Sequence, residues 1–257
     1  MRLLLADPPV AGAPAPGSVL GDDELARLYA PPAEAPTWLR SNFAVSLDGA
    51  VSGANGRSGT VNSAADHVVF ELIRALSDAV VVGAGTLRTE GYGPLAVAPR
   101  WREARRRLGL SETLPVVAVS RSGEVPQDLL GAEPGRVLLA TGVDSPGRSA
   151  ARRVLGDEHV LVCGPHDVGG RELVDALADR GLRRLVCEGG PSLLAALLDA
   201  DALDEVCLSL TPRLVAGTAP RFVTGADREE PFTPVVLVEQ DGTVIGRWLR
   251  GPHPGAR

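Results

Sequence analysis

Arg184-Leu185-Val186-Cys187-Glu188-Gly189-Gly190-Pro191-Ser192-Leu193-Leu194 is the stretch on which the reading of this chain turns. An apolar, strand-like run stops at a carboxylate. Two glycines then let the backbone turn, and Pro191 and Ser192 open a helix-patterned run that continues to Leu198. Proline is tolerated in a first helical turn. The free N–H groups of that turn, with the helix dipole, favour an anion such as a phosphate. A carboxylate at a strand end beside such a cradle points to a nucleotide site with a polar group next to it. An ordinary strand–turn–helix connection has the same pattern, so the rest of the chain must decide.

Outward from this stretch the chain alternates. Strand-like runs fall at 40–47, 79–83, 115–120, 136–140, 159–163, 184–187 and 204–210, and helical periodicity at 63–76, 100–109, 147–155, 171–180 and 192–199. Asn62 or Ser63 is a suitable N-cap for the first helix. Alternating strands and helices predict an α/β fold with a mixed, mostly parallel sheet covered on both faces. Val235 to Val238 and Thr243 to Leu249, separated by Asp241-Gly242, predict a C-terminal β-hairpin. Met1 to Ala6 is also strand-like, but Pro, Ala and Gly dominate 7–21 and 31–37 around a short helical pattern at Asp22 to Tyr29. Residues 1–38 therefore read as an N-terminal arm and 39–257 as one domain.

Composition excludes whole classes of chemistry. All 26 basic residues are arginine. Without lysine there is no Schiff base to a carbonyl substrate or to pyridoxal phosphate, and no Walker-type phosphate loop. A net charge of −6 offers no general attraction to nucleic acid or anionic membrane. No apolar run reaches the ~18 residues of a membrane span and the N-terminus lacks a signal-peptide pattern, so the expected location is the cytoplasm. Cys163, Cys187 and Cys207 are odd in number and set in apolar runs, as buried reduced thiols would be. Cys163 and His166 have half the spacing of a metal site, but no second half exists, and no metal is expected. Arg105, Arg106 and Arg107 spread around a helix and read as a solvated surface.

Two further segments carry chemistry. Ala79 to Leu87 repeats the strand–glycine–helix junction: Gly83 and Gly85 permit close backbone approach to a ligand, and Thr86 adds a hydroxyl near a helix start. The next strand, Val116 to Val119, ends in Ser120-Arg121 instead of an acidic residue. A guanidinium there suits a 2′-phosphate and favours NADPH over NADH, although a solvated loop arginine fits equally. In Asn42 to Gly49, strand alternation puts Asn42, Ala44, Ser46 and Asp48 on one face. Three polar residues on one face of an apolar strand are accounted for by a ligand cavity, and Asp48-Gly49 equally by turn chemistry.

Taken together, Asn42 to Gly49, Val82 to Thr86, Glu188 to Pro191, and Leu203-Asp204-Glu205 leading to Thr211 to Gly217 resemble the riboflavin-biosynthesis reductase family, in its stand-alone form. Their order and spacing agree with that family over roughly 39–250. The resemblance implies a dihydrofolate reductase-like, three-layer α/β/α fold, a homodimer, and reduction of the ribosyl group of a 5-amino-6-(phosphoribosylamino)uracil to ribityl by hydride from NADPH. It places Ala44, Thr60, Thr86, Ser120 and the turn Gly190, Pro191, Ser192, Leu193 at the cofactor; Gly83, Gly85, Arg121 and Gly189 join them from the motifs above. It places Ser58, Arg74 and Glu188 at the phosphorylated sugar, with Asn42 and Ser46 beside them. Asp48, Glu90 and Glu188 are the carboxylates at hand for proton transfer.

The chain departs from the family in two places. Asn42 stands where many bacterial members carry lysine. After Thr86 the usual Asp-Asp-Pro is replaced by Arg88-Thr89-Glu90-Gly91-Tyr92-Gly93-Pro94. These changes keep open a pterin such as dihydrofolate as substrate. A catalytically silent NADP-binding protein is a third reading, and the retained Glu188 and Asp48 argue against it.

Overall fold

A computed structural model of the chain describes residues 1–6 and 12–251. Residues 7–11 of the expected arm, and 252–257 at the end of the expected domain, lie outside the described residues. The strands are β1 (Arg2–Ala6), β2 (Trp38–Val45), β3 (Ala79–Gly83), β4 (Val116–Val119), β5 (Val137–Thr141), β6 (Val160–Val162), β7 (Arg184–Cys187), β8 (Glu205–Leu210), β9 (Phe232–Gln240) and β10 (Thr243–Arg250). They form one sheet in the order β1-β9-β10-β8-β2-β7-β3-β4-β5-β6. Neighbours from β8 to β6 are parallel, whereas β10, β9 and β1 add antiparallel pairings at one edge. This is the expected mixed, mostly parallel sheet with a C-terminal hairpin. Asp241 and Gly242 take φ of 52° and 78° at the hairpin turn, the left-handed pair that matches strand twist.

Helices α1 (Asp22–Tyr29), α2 (Ala64–Ala75), α4 (Arg102–Arg107) and α5 (Arg148–Leu155) cover one face; α6 (Gly170–Ala178) and α7 (Pro191–Asp199) cover the other. The alternation within a strand decides which layer each residue joins. Val80 and Val82 pack with Leu72 and Ile73 of α2, while Val81 packs with Leu173, Leu194 and Leu197 of α6 and α7. Both faces are buried, which is why these strands read as continuous apolar runs. Ser63 caps α2, its hydroxyl accepting from the Asp66 N–H at 3.1 Å.

The N-terminal segment belongs to the same core. β1 pairs with β9, Leu3 is fully buried, and Leu25, Leu28 and Tyr29 of α1 pack in the layer of α2. Arg105 corrects the reading of the arginine run as a solvated surface. It is buried, donating to the carbonyls of Ser77 at 2.6 Å and of Ala75 and Thr113 at 3.1 Å, and to that of Ser111, while Arg106 and Arg107 stay outside with Glu103. No helix among the described residues is long and apolar enough to cross a membrane. The three cysteines are buried and unpaired, and no metal-ligand cluster occurs among the described residues.

Candidate active site

The carboxyl ends of β7, β3 and β4 open onto a cleft of about 840 Å³. In an open α/β sheet this is the end where ligands bind. Its floor is made by the two glycine junctions. Gly83 N–H donates to the Gly189 carbonyl at 2.8 Å, and Glu188 N–H donates to the Val81 carbonyl at 3.1 Å, so β3 and the turn after β7 are one continuous piece of sheet. Gly189 has φ of +128°, where a side chain would be strained, and a Cβ on Gly190 would come within 2.8 Å of Thr86 Oγ1. The Gly189–Gly190 peptide is cis. A Cβ added at Gly85, by contrast, would meet nothing within 4 Å.

Helix α7 starts at this floor with Gly190 as its N-cap, Pro191 in its first turn and no side chain capping it. The N–H groups of its first turn are left without intrahelical partners, and Ser192 and Leu193 line the cleft. Helix α3 (Ala84–Glu90) begins on the other glycine junction and brings Gly85, Thr86 and Glu90 into the wall. Arg121 stands at the rim, 81 % exposed, and its Nε lies 3.7 Å from Asp167.

Directly beside this floor lies a largely buried ionic group, since Glu188 immediately precedes Gly189. Arg74 of α2 points inward and grips Glu188 with two hydrogen bonds, Nε to Oε1 at 2.7 Å and Nη2 to Oε2 at 2.6 Å. Tyr92 donates its hydroxyl to Oε2 at 3.0 Å. The Arg74 guanidinium also stacks 4.0 Å from the Phe70 ring centroid. Burial disfavours the Arg74 charge, but the Glu188 carboxylate more than offsets this and raises its pKa above the ordinary value. Burial and the same carboxylate push the Tyr92 phenol well up, so it stays protonated. Tyr92 owes its place to Gly91, which ends α3 in the left-handed conformation and turns the chain back so that Tyr92 N–H still bonds Leu87 O at 3.0 Å. Asp66, buried in the first turn of α2, is a further carboxyl in this region. Burial raises its pKa, the Ser209 hydroxyl and His67 lower it, and Glu188 adds to the rise.

Of the residues singled out from sequence, Ser58, Gly83, Gly85, Thr86, Glu90, Arg121, Glu188, Gly189, Gly190, Pro191, Ser192 and Leu193 line this cleft. Arg74 reaches it through Glu188. Glu90 accepts from Ser58 N–H at 3.0 Å, tying the end of α3 to the 51–60 loop. Asn42, Ala44, Ser46, Asp48, Thr60 and Ser120 are not part of the wall. β2 ends at Val45, so Ser46 and Asp48 belong to a turn and do not extend the strand face. Asp48 accepts from Ser46 Oγ at 2.5 Å and from the N–H groups of Val215 and Ala216 at 3.2 and 2.7 Å. The Ser46 bond and those backbone bonds bring its pKa down to about 2, so it holds no proton to give at neutral pH. Thr60 packs on Gly53. Ser120 is buried with its Oγ 3.3 Å from that of Ser122. Sequence reasoning missed Phe43, Ser52, Asp167 and Val168 in the wall, and the contact of Tyr92 with Glu188. Tyr92 did carry a signal: a hydroxylated aromatic between two glycines just past a helix end.

A second cavity of about 720 Å³ lies between α7 and residues 221–230. Its lining holds none of the predicted site residues.

The sequence profile of the RibD C-terminal domain matches residues 37–244. The 2,5-diamino-6-ribosylamino-4(3H)-pyrimidinone 5′-phosphate reductase of Archaeoglobus fulgidus is 29 % identical over 178 residues, covering 68 % of this chain and 80 % of that protein. The riboflavin biosynthesis protein RibD of Mycobacterium tuberculosis is 29 % identical over 182 residues, covering 70 % of this chain but only 43 % of that longer protein. Among solved structures, a pyrimidine reductase-like protein of Corynebacterium diphtheriae superposes with a TM-score of 0.72 at 21 % identity, covering 84 % of this chain and 93 % of that one. The fold is thus the dihydrofolate reductase-like arrangement expected from the motifs.

Proposed function

The chain belongs to the RibD C-terminal domain family, and from that premise we propose that it is an NADPH-dependent reductase of a phosphoribosylamino-pyrimidine, turning the ribosyl group into ribityl. The observation that carries the reading is the presence, side by side in one cleft, of the glycine-floored start of α7 and the hydrogen-bonded Arg74–Glu188–Tyr92 group.

The residues fit a dinucleotide. No side chain caps the start of α7 and the space beside Gly85 is open, which supports phosphate and ribose at these places. Arg121 at the rim supplies a guanidinium for a 2′-phosphate. When bound, the nicotinamide supplies the hydride; the protein's share is orientation and hydrogen bonding around the carbonyl carbon that receives it. Ser58, Glu188 and Tyr92 mark the substrate end. Arg74, spent on Glu188 through two hydrogen bonds, is assigned to holding that carboxylate and not to a substrate phosphate. Ala44, Thr60, Ser120, Asn42, Ser46 and Asp48 are given no direct contact.

The test is NADPH oxidation, followed by absorbance, with the phosphoribosylamino-pyrimidine in its aminated and deaminated forms and with dihydrofolate. Turnover of a pyrimidine with a ribityl product is the expected result. Activity on dihydrofolate alone, or tight NADPH binding with no turnover, overturns it.

A further inference from the structure

Glu188 is the carboxylate that ends the motif strand, yet its side chain is only 2 % exposed. Oε2 already accepts from both Arg74 and Tyr92, and Oε1 accepts from Arg74. Three of the roughly four acceptor positions of the carboxylate are thus taken, and its burial leaves little surface for a substrate hydroxyl to reach. Tyr92, by contrast, keeps some of its surface open and lines the cleft. Its single phenolic proton is committed to Glu188, which leaves the oxygen lone pairs as acceptors. Two fixtures set the direction of the phenol. The left-handed Gly91 turns the backbone, and the Arg74 guanidinium, 5.5 Å from the ring centroid, lies against the ring while gripping the carboxylate that receives the proton.

We propose that Tyr92 is the specificity-determining contact at the substrate end: its oxygen accepts a hydrogen bond from a hydroxyl or amino group of the substrate, while Glu188 and Arg74 sit behind it as positioning residues that fix the phenol. This rests on the reductase reading above and assigns the substrate-recognition role to the segment 88–95. A ligand with donors at that place is selected, because an analogue without them leaves the acceptor side of the Tyr92 oxygen unfilled while still displacing water from it.

The experiment is steady-state kinetics of the purified chain and three variants with the pyrimidine substrate, alongside NADPH affinity by fluorescence titration and thermal melting. Tyr92→Phe keeps the ring and removes the oxygen. It should raise KM on the order of tenfold, leave kcat within about twofold, and leave NADPH affinity unchanged. Glu188→Gln should raise KM as well. In the Tyr92→Phe background, however, adding Glu188→Gln should change KM no further, because Glu188 acts through the phenol. An unchanged KM in Tyr92→Phe overturns the proposal, and so does a Glu188→Gln effect that persists in full in the double variant, since Glu188 then meets the substrate itself. Comparing the double variant with Tyr92→Phe keeps this second criterion independent of a general loss of stability. If the unmodified chain reduces no pyrimidine substrate, the reductase reading fails first and this assignment falls with it, a result seen before any variant is made.

Discussion

At the scale of single residues, the cleft divides its ionic groups by exposure. Glu188 is buried and Arg74 largely so, and two hydrogen bonds match them to one another. Their role is geometric, because a buried pair that loses one partner leaves an uncompensated charge. Arg121 is the opposite case, 81 % exposed and only loosely near Asp167. Solvent screening makes that contact worth little to stability, which leaves the guanidinium available for an anionic ligand. Arg121→Ala should therefore weaken NADPH on the order of tenfold or more while changing NADH little, and the melting temperature should not move. Equal losses for the two cofactors in a fluorescence titration would remove Arg121 from the 2′-phosphate.

At the scale of elements, the sequence announces those whose causes are local. β3 and β7 fall at the residues expected, Ala79–Gly83 and Arg184–Cys187, because apolar runs bounded by Asp, Gly and Glu leave little freedom for their ends. The glycine junctions were legible for the same reason. Pairings across the chain were not: Arg74 and Glu188 each stood out, but 114 residues separate them and no local pattern announces their bond. Nor does a run of three arginines say which one turns inward to find carbonyls. Of the two readings of Asn42 to Gly49, the strand face stops at Val45 and the turn takes over, because Gly49, at φ of +84°, draws the last residues round. A second buried cluster ties β2, β8 and β10 together and was equally silent. Glu205 accepts from Arg247 at 2.8 Å on each oxygen, from Trp38 at 2.8 Å and from Cys207 at 3.0 Å, with Arg40 3.9 Å away. Burial pushes the Glu205 pKa up, but Arg40 and Arg247 pull it further down, from its ordinary 4.5 to about 2. Since the folded value lies below the unfolded one, the unfolded chain takes the proton first as the pH falls. The contribution is complete above about pH 4.5 and is lost as the pH drops towards 2. Glu205→Gln should cost about 3–5 kcal/mol at neutral pH and flatten the acid limb of the stability curve over that window. Urea titrations at a series of pH values measure both; an acid limb as steep as that of the unmodified chain would show that Glu205 does not govern it.

At the scale of the molecule, the sheet divides into a working part and a supporting edge. The cleft sits on β7, β3 and β4, whereas β1 lies at the far end beyond β9, β10, β8 and β2. The edge is completed by the first residues of the chain: Leu3 N–H bonds the Ser18 carbonyl at 2.9 Å, and its fully buried side chain fills the layer beneath β9. Without β1 the hydrogen-bonding groups of β9 would face solvent as an open edge, the arrangement that invites pairing with other chains. Leu3→Ala removes the apolar anchor and keeps the backbone ladder, so it should destabilise the fold by about 2–5 kcal/mol. Deleting residues 1–6 removes both and should add concentration-dependent aggregation. Neither change touches the cleft, so NADPH affinity measured below the melting transition should stay at that of the full chain. A large loss of cofactor affinity in Leu3→Ala, with the fold intact by circular dichroism, would mean that the far edge and the cleft are mechanically coupled through the sheet.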